Sequence, residues 1–274
     1  MNISVVIIAR NEERRIGRTL KSLQKQTLLP DEVIVVDNAS TDSTAKIARE
    51  YSATVVYEPI TVRGKAWNTG FLATKGEFVG LSGADFVLDP HWLKFLYQRI
   101  RADKNIGGVS GSLLALNKDK LIPYLIELAS QTPRVGNAVM MYRRQAVLQA
   151  GLWNPKLHNA EDVELAWRIL KMGYVIVHEP RAKVYHPHSE KLSSFLKRQY
   201  EYGYWSVLAR KKTNTLTTKG RLIMFGFPFI FIKHLPKAKL HPLLPILLTL
   251  STYAYTLGMW ESLIKYRARA SNDK

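Results

Sequence analysis

The chain has 274 residues and is 46% apolar, enough for one large domain or for one domain with an appendage. It contains no cysteine, which excludes disulfides, thiolate metal sites and cysteine nucleophiles. Its net charge of +18 is lopsided, with 17 Lys/Arg against 4 Asp/Glu from Arg181 onward, a balance that fits nucleic acid or an anionic membrane surface. The apolar runs 222–232 and 243–260 lie inside this basic region and favour the membrane. The N-terminus enters a strand-like stretch with no basic lead and no cleavage site, so no cleavable signal peptide is expected.

Strand-like and helix-like segments alternate through the first half. Residues 3–8 read as a strand, 13–26 as a helix and 32–36 as a strand. Residues 43–51 read as a helix behind the capping residues Thr41 and Asp42. A strand at 54–57, a helix at 65–74 and a strand at 78–81 continue the series. This pattern predicts an α/β fold, Rossmann-like, with a mostly parallel sheet flanked by helices.

Parallel strands place their carboxyl ends on one edge, where open α/β sheets bind ligands. Ala9, Arg10, Asn11 and Glu12 follow the first strand, Asp37 and Asn38 the second, and Ala84 and Asp85 the strand at 78–81, so these residues are expected to converge. A carboxylate at such an edge accepts from a base N–H or a ribose hydroxyl, while Arg63 and Lys65 can neutralise phosphate. The small residues Ser82, Gly83 and Ala84 let a metal-bound diphosphate approach Asp85, and Mg²⁺ or Mn²⁺ prefers such oxygen ligands. The same polar residues also suit turns and helix caps. Neither GxGxxG nor GxxxxGK[ST] follows the first strand, which counts against a dinucleotide enzyme or a P-loop NTPase.

Further on, 91–101 reads as a helix, 107–116 as a strand, 118–130 as a helix and 138–142 as a strand preceded by Gly136 and Asn137. Asn159-Ala160-Glu161-Asp162 opens a helix at 163–172 with Leu165, Ile169 and Met172 as its apolar stripe. Asn159 with Asp162 has the form of a capping box, and acids are favourable at a helix N-terminus in any case. After a strand at 175–178, alternation puts His186 and His188 on one side of an extended 184–188 segment, where either can be a metal ligand or an ordinary surface histidine. From 193 onward Phe195, Gln199, Tyr202 and Trp205 share helical spacing among basic residues.

The ordered set ISVVIIARNEE, DEVIVVDNASTD, GKAWNTGFLATKGEFVGLSGADFVLDP and AEDVELAWRILKMGY resembles the inverting glycosyltransferases of family 2, over about residues 1–190. The resemblance implies the GT-A fold, a nucleoside contact at Asp37 and Asn38, and a metal contact at Asp85, the second acid of an Asp-x-Asp motif. Gly83 stands where the first Asp is usual, and His188 is the preferred candidate for the missing ligand. Asp162 would be the general base, with Glu161 beside it. Gln199 and Trp205 are a loose echo of the Gln-x-x-Arg-Trp motif of cellulose synthase and would meet the acceptor. Similarity to polyprenol-phosphate mannose synthases and archaeal membrane mannosyltransferases implies GDP-mannose as the first donor, with UDP-sugars open. The acceptor would be a dolichol- or polyprenol-linked glycan at the cytosolic face of the cell membrane. A homodimer is possible and nucleic acid is not an expected partner. The competing readings are a nucleotidyltransferase-type diphosphate enzyme and a non-catalytic basic protein that binds membrane or nucleic acid.

The run 222–232 is too short for a hydrocarbon core of ~30 Å, and the 18 residues 243–260 nearly span it as a helix of about 27 Å. Basic residues concentrate outside the pair rather than between its members, which predicts a hairpin with both ends cytosolic. An in-plane amphipathic anchor is the alternative. The expected division is a catalytic domain at 1–190, an interfacial helix region at 191–221 and a membrane hairpin or anchor at 222–274.

Overall fold

Apolar residues alternate along the first strand in a way that serves two cores at once. In β1 (Ile3–Ala9), Ile3, Val5 and Ile7 face one layer of helices and Val6 the other, as the two-residue period of a strand requires. The computed structural model describes residues 2–129, 139–212 and 234–272.

The chain divides into two units, residues 1–116 with 133–187, and residues 117–132 with 188–274. In the first unit β1 is followed by α1 (Ile16–Gln24), β2 (Glu32–Asp37), α2 (Thr44–Glu50), β3 (Thr54–Tyr57), α3 (Arg63–Ala73) and β4 (Phe78–Gly83). The short β5 (Val87–Leu88), α4 (Trp92–Arg101) and β6 (Ile106–Ala115) come next. The second unit holds α5 (Leu121–Ala129), although it lies within the first 190 residues of the chain. The chain then returns to the first unit for β7 (Met140–Arg143), α6 (Arg144–Gln149), α7 (Glu161–Lys171) and β8 (Val175–His186).

The eight strands form one sheet in the order β3-β2-β1-β4-β7-β6-β8-β5. Pairing is parallel for β1 with β2 and β4, for β2 with β3, and for β6 with β8. The alternating pattern foresees this parallel half. It does not foresee β7, which runs antiparallel to both β4 and β6 and joins the two halves, nor β5, antiparallel to β8. One core lies between the sheet and α1, α2 and α4, and contains Ile16, Leu20, Trp92, Leu93 and Leu96. The other lies under α3, α6 and α7, where Trp67, Phe71 and Tyr142 surround Trp153. Burying four aromatic rings in one cluster removes several hundred square ångströms of apolar surface from water.

The second unit contains α5, α8 (Leu192–Lys212), a 3-10 turn (Leu235–Lys239) and α9 (Leu244–Asn272). Leu125 and Ile126 of α5 pack with Phe195, Leu244 and Leu247. Where α8 crosses α9, a Cβ at Gly203 would strike the Tyr255 carbonyl and one at Gly258 the Tyr200 carbonyl, so only glycine lets the backbones come this close.

The spanning role expected of 243–260 is corrected here. Among the described residues no helix is long and apolar enough to cross a membrane. The charge-free run contains many hydroxyls: Thr249, Thr252 and Thr256 bond carbonyls of their own helix, and Glu261 and Lys265 follow as an ion pair. Gly136, Asn137 and the apolar run 222–232 lie outside the described residues.

Candidate active site

The strand register delivers the polar loops to one edge. Ala9 is paired with Asp37 and Ile8 with Gly83, so Asn11, Asn38 and Asp85 all leave the sheet at its carboxyl end. Two of the loops are sewn together. Asn11, at φ 53°, accepts the Thr41 N–H on Oδ1 at 2.8 Å, and its own N–H donates to Ser40 Oγ at 3.1 Å. Glu12 N–H donates to Thr44 Oγ1 at 2.7 Å, and Thr44 in turn donates to Asp42 Oδ1. Asp37 is buried and accepts the Ser40 N–H on Oδ1 at 3.0 Å, while Asn38 Nδ2 donates to the carbonyls of Glu58 and Ile60. The side-chain amides of Asn11 and Asn38 therefore shape loops, the turn-forming role that polar residues there also allow. Ala9 and Ala84 are buried, Arg10 is exposed, and Lys65 is half-buried in the first turn of α3.

Asp85 is held in a tight frame. The buried Thr19 hydroxyl of α1 lies 2.7 Å from both the Ala84 and Phe86 carbonyls, the peptides on either side of the acid. Asp85 Oδ2 is 3.1 Å from His186 Nε2 at the end of β8, and the His186 ring sits edge-on to Phe86 at 5.1 Å. Burial pushes the Asp85 carboxyl up, but the hydrogen bond and charge of His186, together with a backbone N–H and the charge of Arg15, hold the group below its usual range. Glu12 is pushed the other way by burial and by the charge of Asp85, which places the two acids in each other's field. A Cβ at Gly83 would lie 3.1 Å from Asp85 Oδ1 and 3.2 Å from the Phe86 ring, so the residue at the first position of the motif leaves its space to the Asp85 carboxylate.

The histidine that meets Asp85 is His186. His188 begins the second unit, where its N–H donates to Asn117 Oδ1 at 3.0 Å and its carbonyl accepts from Asn117 Nδ2 at 2.9 Å. Strand alternation could not separate the two histidines, because β8 ends at His186 and extended geometry stops there.

A second group of acids opens α7. Ala160 occupies the N-cap position at φ 63° and offers no side-chain cap. Asn159 makes no capping box with Asp162; its Oδ1 accepts from Arg63 Nη1 at 3.3 Å. Glu161 is 1% exposed and faces Arg63 Nε at 3.4 Å, whereas Asp162 is half-buried and accepts the Val163 N–H at 2.8 Å. Burial pushes Glu161 up to about 7, with Arg63 opposing and Asp162 reinforcing the shift. Burial and the charges of Asp162 and Glu161 also raise the Tyr142 hydroxyl, which stays neutral. Of the helix's expected apolar stripe, Leu165 and Ile169 are buried but Met172 is exposed at the C-cap. Gln199 and Trp205 are both half-buried on α8, with Trp205 edge-on to Tyr204 at 5.5 Å.

Residue-type reasoning missed Thr19, whose signal in the sequence is only a polar residue on the buried face of a helix, and the pairing of Arg63 with Glu161, which has none. Among the described residues no group of three or more His, Asp or Glu side chains stands ready to hold a metal. One carboxylate and one imidazole at 3.1 Å do suit a divalent cation that takes its remaining ligands from phosphate and water.

The first unit is thus an α/β sheet layered by helices on both faces, with an acid–imidazole pair at its carboxyl edge and a second acid pair at the head of a helix. Residues 4–149 match Glycosyl transferase family 2 and residues 120–260 match Glycosyl transferase family group 2, so the chain belongs to glycosyl transferase family 2. The poly-beta-1,6-N-acetyl-D-glucosamine synthase of Staphylococcus epidermidis is 24% identical over 79% of this chain, which spans only 58% of that protein. The solved mannosyltransferase of Pyrobaculum calidifontis, in complex with GDP-Man and Mn²⁺, superposes with a TM-score of 0.65. It is 20% identical, over 98% of this chain and 75% of that one. Glucosyl-3-phosphoglycerate synthase from Mycobacterium tuberculosis, with Mn²⁺, UDP-Glc and phosphoglyceric acid, gives a TM-score of 0.60 at 20% identity, over 79% and 81% of the two chains.

Proposed function

We propose that the chain is an inverting, divalent-metal-assisted glycosyltransferase that moves a sugar from a nucleoside diphosphate donor to a lipid-linked acceptor at the cytosolic face of the cell membrane. The observation that carries the reading is the Asp85–His186 pair at the carboxyl edge of the sheet, flanked by Glu12 and framed by Thr19. Asp85 and His186 would hold Mg²⁺ or Mn²⁺, which when bound offsets the charge that grows on the departing diphosphate. In this reading His186 takes the place first given to His188. Asp37 lies at the nucleoside end of the edge, and Arg63 and Lys65 in the first turn of α3 meet the diphosphate.

Asp162 takes the proton from the acceptor hydroxyl as that oxygen attacks the anomeric carbon. The new carbon–oxygen bond forms on the face opposite the breaking bond to the diphosphate, and a single displacement inverts the centre. A half-exposed carboxylate suits this task, since the acceptor hydroxyl must be able to reach it. The charge excess of the C-terminal part and the apolar run 222–232 support a membrane-proximal acceptor.

GDP-mannose remains the first donor, supported by the mannosyltransferase whose likeness covers 98% of the chain. A donor of N-acetylglucosamine is favoured instead by the poly-beta-1,6-N-acetyl-D-glucosamine synthase, which matches over 79% of the chain. Purified full-length protein with Mn²⁺, each donor in turn and a polyprenol-linked acceptor decides between them. The expected product is a nucleoside diphosphate, from cleavage of the sugar–oxygen bond; release of a sugar 1-phosphate, from cleavage between the two phosphates, would instead indicate nucleotidyl transfer. Asp162→Asn should lower transfer at least 100-fold, within the range for loss of a general base, and should leave donor binding intact. Transfer near the wild-type rate in that variant refutes the assignment of the base.

A further inference from the structure

Glu161 is the least exposed acidic residue among those described, and the base reading gives it no task. Neither of its carboxylate oxygens has a hydrogen bond of good geometry; the Trp67 side chain and Arg63 Nε, the latter 3.4 Å away, are what face it. A carboxylate withdrawn from water with partners this weak costs stability, so its placement points to something other than stability. Arg63 is gripped from its buried side, through the inner nitrogen by Glu161 and through Nη1 by Asn159, while the side chain remains 42% exposed.

The two residues also sit on a common brace. Asn68 of α3 donates from Nδ2 to the Trp153 carbonyl and accepts the Trp153 N–H on Oδ1, both at 2.9 Å. The Trp67 and Trp153 rings stack at 6.1 Å. The first turns of α3 are thus tied to the segment leading into α7.

We propose that Glu161 is a positioning residue for the donor's diphosphate: it fixes the Arg63 guanidinium at the edge before the donor arrives. The inference rests on the reading of Arg63 as a diphosphate contact. An arginine side chain loses much rotamer freedom when it grips a phosphate, and holding it in advance removes that loss from the binding step. The adjacent acids then divide the work: half-buried Asp162 serves the acceptor, and buried Glu161 serves the donor through Arg63. Arg63, Asp162, the Trp67 side chain and the neutral Tyr142 hydroxyl are the groups whose charges or dipoles face Glu161.

The sign of one measurement separates this role from a purely electrostatic one. Deleting a negative charge near the site strengthens diphosphate binding, whereas deleting the anchor weakens it. Full-length wild type, Glu161→Gln, Arg63→Gln, the double variant and Asp162→Asn are titrated calorimetrically with GDP and with UDP in Mn²⁺ at pH 8. Folding of each is checked by circular dichroism. Whichever nucleotide binds wild type is expected to bind Glu161→Gln about 10-fold more weakly and Arg63→Gln at least as weakly. The double variant should be no worse than Arg63→Gln alone, and Asp162→Asn, which removes a neighbouring charge and leaves the anchor in place, should bind at least as tightly as wild type. Equal or tighter binding by Glu161→Gln overturns the positioning role. Failure of wild type to bind either nucleotide removes the donor-site reading itself, a different result. Should Glu161→Gln not fold, Glu161→Asp, which keeps the charge and shortens the reach, is expected to bind more weakly than wild type; unchanged affinity overturns the role equally.

Discussion

Glu161→Gln also makes a sharp prediction for folding. The Glu161 carboxyl sits 1% exposed and is pushed by burial from its ordinary value of 4.5 to about 7, against the opposing charge of Arg63. A carboxyl whose affinity for protons is raised by folding stabilises the native state fully below its unfolded value, and that contribution is lost as pH rises through the folded value. The window is therefore from about pH 4.5 to about pH 7. At 1.36 kcal/mol for each pH unit, the loss from this one group is about 3 kcal/mol, most of it between pH 5 and pH 8. Glutamine has no proton to give up. The stability of Glu161→Gln minus that of wild type should grow by about 2.5 kcal/mol between pH 5 and pH 8, or by roughly 5–10 °C in relative melting temperature. Urea unfolding of both proteins across this range measures the difference directly. A difference that stays flat with pH refutes the claim that Glu161 is buried and poorly solvated in the folded chain.

Thr19→Val keeps the shape of a buried side chain but removes the hydroxyl that bonds the Ala84 and Phe86 carbonyls. It should cost about 1–2 kcal/mol in urea unfolding and weaken Mn²⁺-dependent binding of the nucleotide; unchanged binding would show that Asp85 needs no such frame. Arg168 of α7 pairs with Glu164, which is 2% exposed, and donates to the Ala150 and Leu152 carbonyls. Arg168→Ala leaves a buried carboxylate unpaired and should destabilise by about 3 kcal/mol. Adding Glu164→Gln should recover part of that loss. A single variant no milder or harsher than a surface substitution would contradict the structural role of the pair.

How far the sequence reached can be read residue by residue. Alternating strand and helix patterns, with polar residues after each strand, placed Asn11, Asp37 and Asp85 at a common edge, because a parallel strand's direction sets where its loop emerges. The register of Ala9 with Asp37 and of Ile8 with Gly83 bears this out. The same reading could not say that the Asn38 amide turns toward Glu58 and Ile60, or that Asn159 bonds Arg63 across 96 residues of chain instead of capping its own helix. Nor did it see β7 entering the sheet antiparallel, since four residues carry no period that distinguishes direction. At 243–260 it weighed the absence of charge above the hydroxyls, which is why a helix too polar to span was taken as a span.

What the sequence determined by itself is therefore the kind of edge this protein builds: which strands run together and which acids, cations and amides arrive at their ends. Those features follow from local chemistry, from periodicity and from chain direction. Only the tertiary structure decided that His186 and not His188 faces Asp85, that Thr19 frames that acid, and that two neighbouring acids differ so that Glu161 is sealed against Arg63 while Asp162 stays within reach of solvent. These are contacts between segments from 65 to about 100 residues apart, and burial and pairing at that range belong to the packed molecule and not to any stretch of the chain.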